Sequence, residues 1–207
     1  MASVTRKAHA TLEDLHRYDG KAELIAGRIV PLMPTGYRPG AIAAEIYSSL
    51  RMHARTTGRG IACTDNAGYA FPELPSGRES FSPDASFYLG PLPADGMDFV
   101  PGPPTFAVEV RSKGDYGKAA EAEIAAKRAD YFQAGTRVVW DVDPRDEIIR
   151  SYRVEEPDRP IVLSRGQVAD AEPAVEVWRS TTSSPDFLFT RRSGSAALLR
   201  GSDRRPG

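Results

Sequence analysis

The chain has 207 residues, of which 41% are hydrophobic and 27% are charged, and these proportions are typical of a globular domain with a sizeable core. Its formal net charge of −1 argues against a global basic surface for nucleic acid but does not exclude a local basic groove. One cysteine and three histidines exclude a disulfide framework and disfavour a closed zinc site. The sequence has no signal-like start and no apolar run that could span a membrane, which predicts a cytoplasmic protein with no membrane partner.

The N-terminal half predicts two helices separated by a hairpin. Residues 1–10 are expected to form a flexible leader. Thr11 then precedes LEDLHRY, whose first turn is acidic, as is typical of a short capped helix. KAELIAG and RIVPLM predict two strands around a tight turn at Ala26 and Gly27. The stretch AIAAEIYSSLRMHART repeats its apolar residues at helical spacing and ends before Gly58.

The C-terminal half predicts mainly strands. GIACTDNAGYAFPEL, DASFYL and TFAVEVRS predict short strands, and KAAEAEIAAKRADYFQAG predicts the strongest helix of the chain, ended by Gly135. TRVVWDVDP and EIIRSYRV predict a hairpin that PIVLS extends. This order indicates an α+β or mixed α/β fold, with a single domain over residues 11–190 and a disordered basic tail over residues 191–207.

Two charged residues interrupt the otherwise apolar strand TFAVEVRS. Alternation places Glu109 and Arg111 together on the face opposite the apolar side chains, where charges are costly unless a nearby group requires them. If DASFYL pairs with this strand, Asp84 and Glu109 can lie on the same side of the sheet. Two neighbouring carboxylates repel each other unless a cation lies between them, and Mg²⁺ prefers oxygen ligands.

The long helix offers a cation for the same region. Ala120, Ile124, Lys127, Tyr131 and Ala134 form one stripe, which is apolar or aromatic except for the lysine. Lys127 is therefore expected to point toward the sheet, where an ammonium could stabilise a phosphate or orient an attacking water.

Each of these residues also has a structural interpretation. Asp84 follows Ser82 and Pro83 and could cap a turn. Glu109 and Arg111 could form a cross-strand ion pair on an exposed face. Lys127 could point outward or pair with a glutamate one turn earlier. Spacing alone leaves these alternatives open. The catalytic interpretation rests on the fact that Asp84, Glu109 and Lys127 are all predicted to lie on compatible faces.

Four stretches of the chain form a recognisable set: AELIAGRIVPLMP, SPDASFYLG, PPTFAVEVRSK and KRADYFQAGTRVVWDVDP. The set resembles the Uma-type endonuclease family, part of the PD-(D/E)XK restriction-endonuclease-like superfamily. The likeness extends from about Leu12 to about Tyr152, with a further stretch to the end of the sheet near Phe189. The resemblance implies a restriction-endonuclease-like fold with a central mixed sheet flanked by helices.

The resemblance also implies a metal-dependent DNA endonuclease. In that interpretation Asp84 and Glu109 hold Mg²⁺ or Mn²⁺, and Glu23 approaches the same site. Arg111 stands where the family usually has lysine, and the functional lysine is shifted to Lys127. Because a guanidinium does not lose its proton, Arg111 is expected to act only through its charge.

Two departures from the family pattern bear on DNA contacts. The family often carries histidine before the first long helix, where this chain has YRPG, and Ser-Pro-Ser after the glutamate strand, where it has Ser-Lys-Gly. A catalytically silent module that binds nucleic acid or protein on the same fold is therefore the alternative, and RNA is an alternative substrate. Cutting both strands of a duplex would be simplest for a homodimer.

Overall fold

The computed structural model describes residues 9–181, so most of the predicted leader and all of the predicted basic tail lie outside the described residues. Within this range the chain forms helices α1 (Leu12–His16), α2 (Tyr37–Thr57) and α3 (Lys118–Ala134). The strands are β1 (Ala22–Ile25), β2 (Arg28–Pro31), β3 (Ile61–Thr64), β4 (Tyr69–Ala70), β5 (Ser80–Phe81), β6 (Ala85–Tyr88), β7 (Val100–Pro101), β8 (Phe106–Val110), β9 (Val138–Asp143), β10 (Ile148–Arg153), β11 (Glu156–Ser164), β12 (Val168–Ala171) and β13 (Val175–Thr181).

The central sheet has six strands in the order β11-β10-β9-β8-β6-β3. Neighbouring strands run antiparallel except for β8 and β9, which are parallel. A parallel pair needs a crossover connection, and α3 supplies it between these two strands. The prediction of a central mixed sheet flanked by helices is confirmed.

The sequence missed several of the smaller strands. The hairpin of β1 and β2 was predicted, but β5 and β7 have two residues each and lie in segments for which no strand was predicted. They pair with β4 to form a three-stranded sheet, and β12 and β13 form another hairpin. Strands this short carry too few residues for alternation to be recognised, and their pairing partners are distant in sequence.

The helix ends agree with those predicted from capping residues, except at the start of α2. Thr11 and Asp14 form a capping box at the start of α1, and α3 ends at Gly135 in the left-handed conformation, as predicted. Helix α2 begins at Tyr37, earlier than predicted, with Pro39 in its first turn. A proline is tolerated there because the first backbone N–H groups of a helix have no intrahelical partner.

Each face of β8 packs against a different hydrophobic cluster. Phe106, Val108 and Val110 are buried with α2, Trp140 and the last hairpin. Ala107 belongs to the second cluster, in which Tyr131 of α3 stacks on Phe81 at 3.9 Å between ring centroids. Alternation therefore directs Glu109 toward α3. No helix in the described part of the chain is both long and apolar enough to cross a membrane.

Candidate active site

Lys127 lies between two carboxylates on the α3 face of the sheet. Its Nζ is 2.9 Å from Glu109 Oε1 and 3.1 Å from Glu23 Oε1. Tyr131, one helical turn later, donates its hydroxyl to the same Glu109 oxygen at 2.6 Å. The i, i+4 spacing places both α3 side chains over the strand. The structure thus directs Lys127 to the sheet and not to a glutamate on its own helix.

Glu23 enters the site from the β1–β2 hairpin and is 2% exposed. Its Oε1 accepts from the backbone N–H of Ser82 at 3.0 Å and faces Lys127, while its Oε2 accepts from the guanidinium of Arg78. Arg78 also donates through Nε to Asp130 of α3 at 2.8 Å. The guanidinium therefore links the hairpin to the helix beneath the site.

Backbone contacts explain how a hairpin and a distant loop bring these charges together. Ile25 forms a β-bridge with Arg78, and the N–H of Ala26 donates to the carbonyl of Gly77 at 2.6 Å. Leu24 donates its N–H to Ser80 Oγ at 2.7 Å. The loop that carries Arg78 is thus fixed along the edge of β1.

Asp84 immediately precedes β6 and is bound to β8. Its N–H donates to the carbonyl of Val108 at 3.0 Å, and its Oδ2 accepts from the N–H of Val110 at 2.8 Å. The Nζ of Lys21 lies 3.6 Å from its other carboxylate oxygen. The Asp84 side chain therefore bridges two strands of the sheet, and its negative charge raises the pKa of Glu109.

The pKa values follow from burial and from the pairing of charges. Burial raises the pKa of Glu109, and Asp84 and Glu23 raise it further, while Lys127 lowers it in part. Burial would also raise the pKa of Glu23, but Lys127, Arg78 and the Ser82 amide together lower it. Burial opposes the charge of Lys127, yet Glu109 and Glu23 raise its pKa above the ordinary value. The ammonium is therefore retained at neutral pH.

The site has more negative than positive groups. It contains four carboxylates and three cationic groups, namely Glu23, Asp84, Glu109 and Asp130, with Lys21, Arg78 and Lys127. A divalent cation would relieve this excess, and Asp84 with Glu109 could supply carboxylate oxygens to it. Mg²⁺ is commonly held by one or two carboxylates with waters and substrate oxygens. Among the described residues, no cluster of three or more acidic, histidine or cysteine side chains is arranged to hold a metal ion.

Arg111 lies in a separate group of charges beyond the end of β8. Its Nε and Nη2 donate to the two oxygens of Asp141 at 2.7 and 2.6 Å, and it also binds Glu121 of α3. The side chain is 5% exposed, and these carboxylates raise its pKa. Arg111 is therefore an ion-pair residue, as one alternative held, but its partners are Asp141 and Glu121 instead of Glu109.

Comparison of the sequence with known families gives a finding that does not depend on the geometry of this site. Residues 10–196 match the family Uma2, described as "Putative restriction endonuclease". The chain belongs to the Uma2 family. The predicted resemblance is confirmed, and membership supports a nuclease-like function for this Uma2 protein. Among curated proteins no sequence matches the chain.

The fold of this Uma2 protein recurs in a solved structure. A crystal structure from Anabaena variabilis, described as a "putative nuclease belonging to DUF820", has a TM-score of 0.64 and 18% sequence identity. The likeness covers 83% of this chain and 94% of that chain. At this identity the likeness establishes the fold alone.

Sequence reasoning missed three charged residues of the candidate site, namely Lys21, Arg78 and Asp130. Asp130 follows Lys127 at i, i+3, so its place on the same side of the helix was a usable signal. Arg78 lies in a polar loop without periodicity, and nothing in its local sequence predicts that it is 8% exposed between Glu23 and Asp130.

Proposed function

We propose that this protein is a metal-dependent endonuclease that hydrolyses phosphodiester bonds of DNA. The observation that carries this proposal is the position of Lys127 between Glu109 and Glu23, in a site with excess negative charge beside Asp84. Asp84 and Glu109 would hold Mg²⁺ or Mn²⁺, which when bound supplies Lewis-acid charge and lowers the pKa of a water. The other residues would orient and stabilise the phosphate.

Lys127 would stabilise charge and would not act as a base. Glu109 and Glu23 raise its pKa, so the side chain keeps its proton at neutral pH. A fixed ammonium beside the metal-binding carboxylates can stabilise the negative charge that develops on the phosphate. Glu23, whose pKa is lowered, would remain ionised and hold this ammonium in place.

Arg111 has an indirect role in this mechanism. Both oxygens of Asp141 and both oxygens of Glu121 accept hydrogen bonds from it, so contact with a phosphate would require these bonds to break. We propose that it fixes the end of β8 to β9 and α3, and so positions Glu109 two residues earlier.

A plasmid-nicking assay with Mg²⁺ or Mn²⁺ tests the proposed function. Asp84→Asn and Glu109→Gln keep the side-chain shapes and remove the charges, so both variants should lose cleavage. Glu123→Gln is the matched control. Because Glu123 is exposed on α3, this variant should cleave like wild type. Wild type that cuts no DNA substrate, or charge-removed variants that cut equally well, would overturn the assignment.

A binding module on the same fold is the second candidate. The observation that favours it is the engagement of Arg111, at the usual lysine position, with Asp141 and Glu121. Calorimetry separates the two functions. A nuclease should bind Mn²⁺ through Asp84 and Glu109, whereas a silent module should bind nucleic acid or protein and take up no Mn²⁺.

The cellular setting of this function is proposed from the sequence. We propose a cytoplasmic enzyme that acts on DNA in preference to RNA and forms a homodimer when it cuts both strands of a duplex. Matched DNA and RNA oligonucleotides test the substrate, cell fractionation tests the location, and light scattering with and without duplex DNA tests the dimer.

A further inference from the structure

An open cleft of about 500 Å³ leads to Asp84. One wall is the loop between α1 and β1, the other is the segment between β2 and α2, and the turn after β3 closes one side. The volume is within the range of about 300–1,000 Å³ that is usual for pockets of small ligands. A single nucleotide is a small ligand on this scale, whereas a complete duplex is not.

The walls of the cleft carry exposed apolar side chains. Met33 is 84% exposed on one wall, and Tyr18 is 38% exposed on the other. Gly20 has a φ of +131°, and a Cβ there would lie 3.5 Å from the Tyr18 ring. An aromatic ring and a polarizable thioether are suitable surfaces for the face of an unstacked base.

The charges of the cleft favour an uncharged base and a single phosphate over a run of several phosphates. Asp19, Asp65 and Asp84 line it with a single ammonium, that of Lys21. Lys21 Nζ is 3.6 Å from Asp84 Oδ1, which is an ion pair without a close hydrogen bond. Such a loosely held ammonium can turn to one phosphate, while the three carboxylates repel further phosphates.

We propose that this cleft is a subsite for one unpaired nucleotide, with Tyr18 and Met33 against its base and Lys21 at its phosphate. The preferred substrate is then single-stranded or splayed nucleic acid, and intact duplex is disfavoured. This inference rests on the proposed function, because it places the nucleotide next to the scissile phosphate at Asp84.

Binding of fluorescent oligonucleotides tests the subsite. The same sequence is prepared as single strand, splayed duplex and full duplex, in DNA and in RNA, and titrated with Lys127→Met in Mn²⁺, since this variant keeps Asp84 and Glu109. Unpaired forms should bind about tenfold more tightly than duplex. Adding Tyr18→Ala or Met33→Ala should weaken that binding about fivefold, the lower end of the contribution of base stacking.

Two controls separate the subsite from other causes. Met52→Ala removes a methionine that is 66% exposed on α2, outside the cleft, and should leave binding unchanged. The wild-type protein should also cleave the unpaired DNA forms faster than the full duplex. This second measurement tests the subsite even if Lys127→Met does not fold. The DNA and RNA series identify which sugar the subsite accepts.

The outcomes distinguish the subsite from the nuclease activity. If wild type nicks plasmid but unpaired and paired oligonucleotides bind equally, or if Tyr18→Ala and Met33→Ala bind like Met52→Ala, the subsite is wrong and the proposed function stands. If nothing is cut but unpaired strands bind through Tyr18 and Met33, the subsite stands and the proposed function is wrong.

Discussion

At the scale of single residues, the ammonium of Lys127 lies between the buried carboxylates of Glu109 and Glu23, which would otherwise repel each other. It contacts Glu109 and Glu23 at 2.9 and 3.1 Å. The same oxygen of Glu109 accepts from Tyr131. A metal ion at Glu109 would therefore be bound beside a positive charge, which opposes its binding and at the same time stabilises the phosphate. Binding and catalysis should respond in opposite directions to the loss of this lysine.

Lys127→Met should lose cleavage and bind Mn²⁺ more tightly. Removing a neighbouring positive charge favours the cation, and a change of about 1.4 kcal/mol would lower the Kd about tenfold. Titration calorimetry measures the Kd, and Lys118→Met, at the exposed start of α3, is the control that should match wild type. Weaker Mn²⁺ binding in Lys127→Met would show that the lysine does not compete with the metal.

Metal binding should release protons near and above pH 4.5. Burial and the charges of Asp84 and Glu23 raise the pKa of Glu109 above its ordinary 4.5, and Lys127 opposes them in part. Folded Glu109 thus holds its proton more tightly than in the unfolded chain, and its contribution to stability falls as pH rises through this window. Since Mn²⁺ and a proton compete for the carboxylate, the Kd should increase as pH falls toward 4.5.

Calorimetry in two buffers with different ionisation heats measures this proton release. The apparent enthalpy of Mn²⁺ binding should depend on the buffer for wild type, and the dependence should disappear in Glu109→Gln. Equal heats in both buffers for wild type would mean that Glu109 is already ionised and has no part in the exchange.

Arg111→Lys tests whether Arg111 acts through structure. A lysine cannot reproduce the two parallel hydrogen bonds to Asp141, so the free energy of unfolding should fall by about 1–3 kcal/mol. The Kd for Mn²⁺ should stay close to that of wild type, because Arg111 belongs to a separate group of charges and does not contact Glu109. Chemical denaturation and calorimetry measure the two quantities, and a large change of Kd without loss of stability would restore the direct role predicted from the sequence.

At the scale of elements, α3 is attached to the rest of the fold by charged side chains as well as by the packing of Tyr131. Its buried residues are Asp130 and Tyr131. Three of its side chains bind groups elsewhere in the fold: Glu121 with Arg111, Lys127 with Glu23 and Glu109, and Asp130 with Arg78. The residues proposed for catalysis therefore also hold the helix in place.

Arg78→Met should destabilise the protein strongly. It leaves Glu23 and Asp130 buried with one cation fewer, and breaking a buried ion pair in this way costs about 3–5 kcal/mol. Arg59→Met, which removes an ion pair between side chains that are each 61% exposed, should cost less than about 1 kcal/mol. Urea denaturation compares the two variants. Adding Asp130→Asn should recover part of the loss, and equal stability of the two arginine variants would contradict the proposed link between hairpin and helix.

At the scale of the whole molecule, the charge distribution limits how DNA can bind. The formal net charge is −1, and the cleft at Asp84 is lined by more carboxylates than ammonium groups. We therefore expect contact with few phosphates, and a plot of log K against log salt with a slope of about −2 or shallower. Anisotropy titrations between low and moderate salt measure it. A slope of about −6 or steeper would require a broad basic surface.

Much of the fold could be predicted because its signals are local. Alternation in TFAVEVRS assigns Glu109 to the face opposite Phe106, and the stripe of α3 assigns Lys127 to the sheet. The family resemblance connects these residues to Asp84. Arg78 could not be predicted, since its partners Glu23 and Asp130 are 55 and 52 residues away and long-range contacts of its loop with β1, such as the bridge to Ile25, fix its position.

The two faces of β8 make the proposed catalytic site depend on strand register. Val108 and Val110 pack against α2, while Glu109 between them faces α3. A slip of one residue would exchange these faces, placing a carboxylate in the core and a valine at the site. A misregistered molecule would thus be both unstable and inactive, so the proposed nuclease activity per mole of total protein would follow the fraction of molecules that have paired this strand correctly.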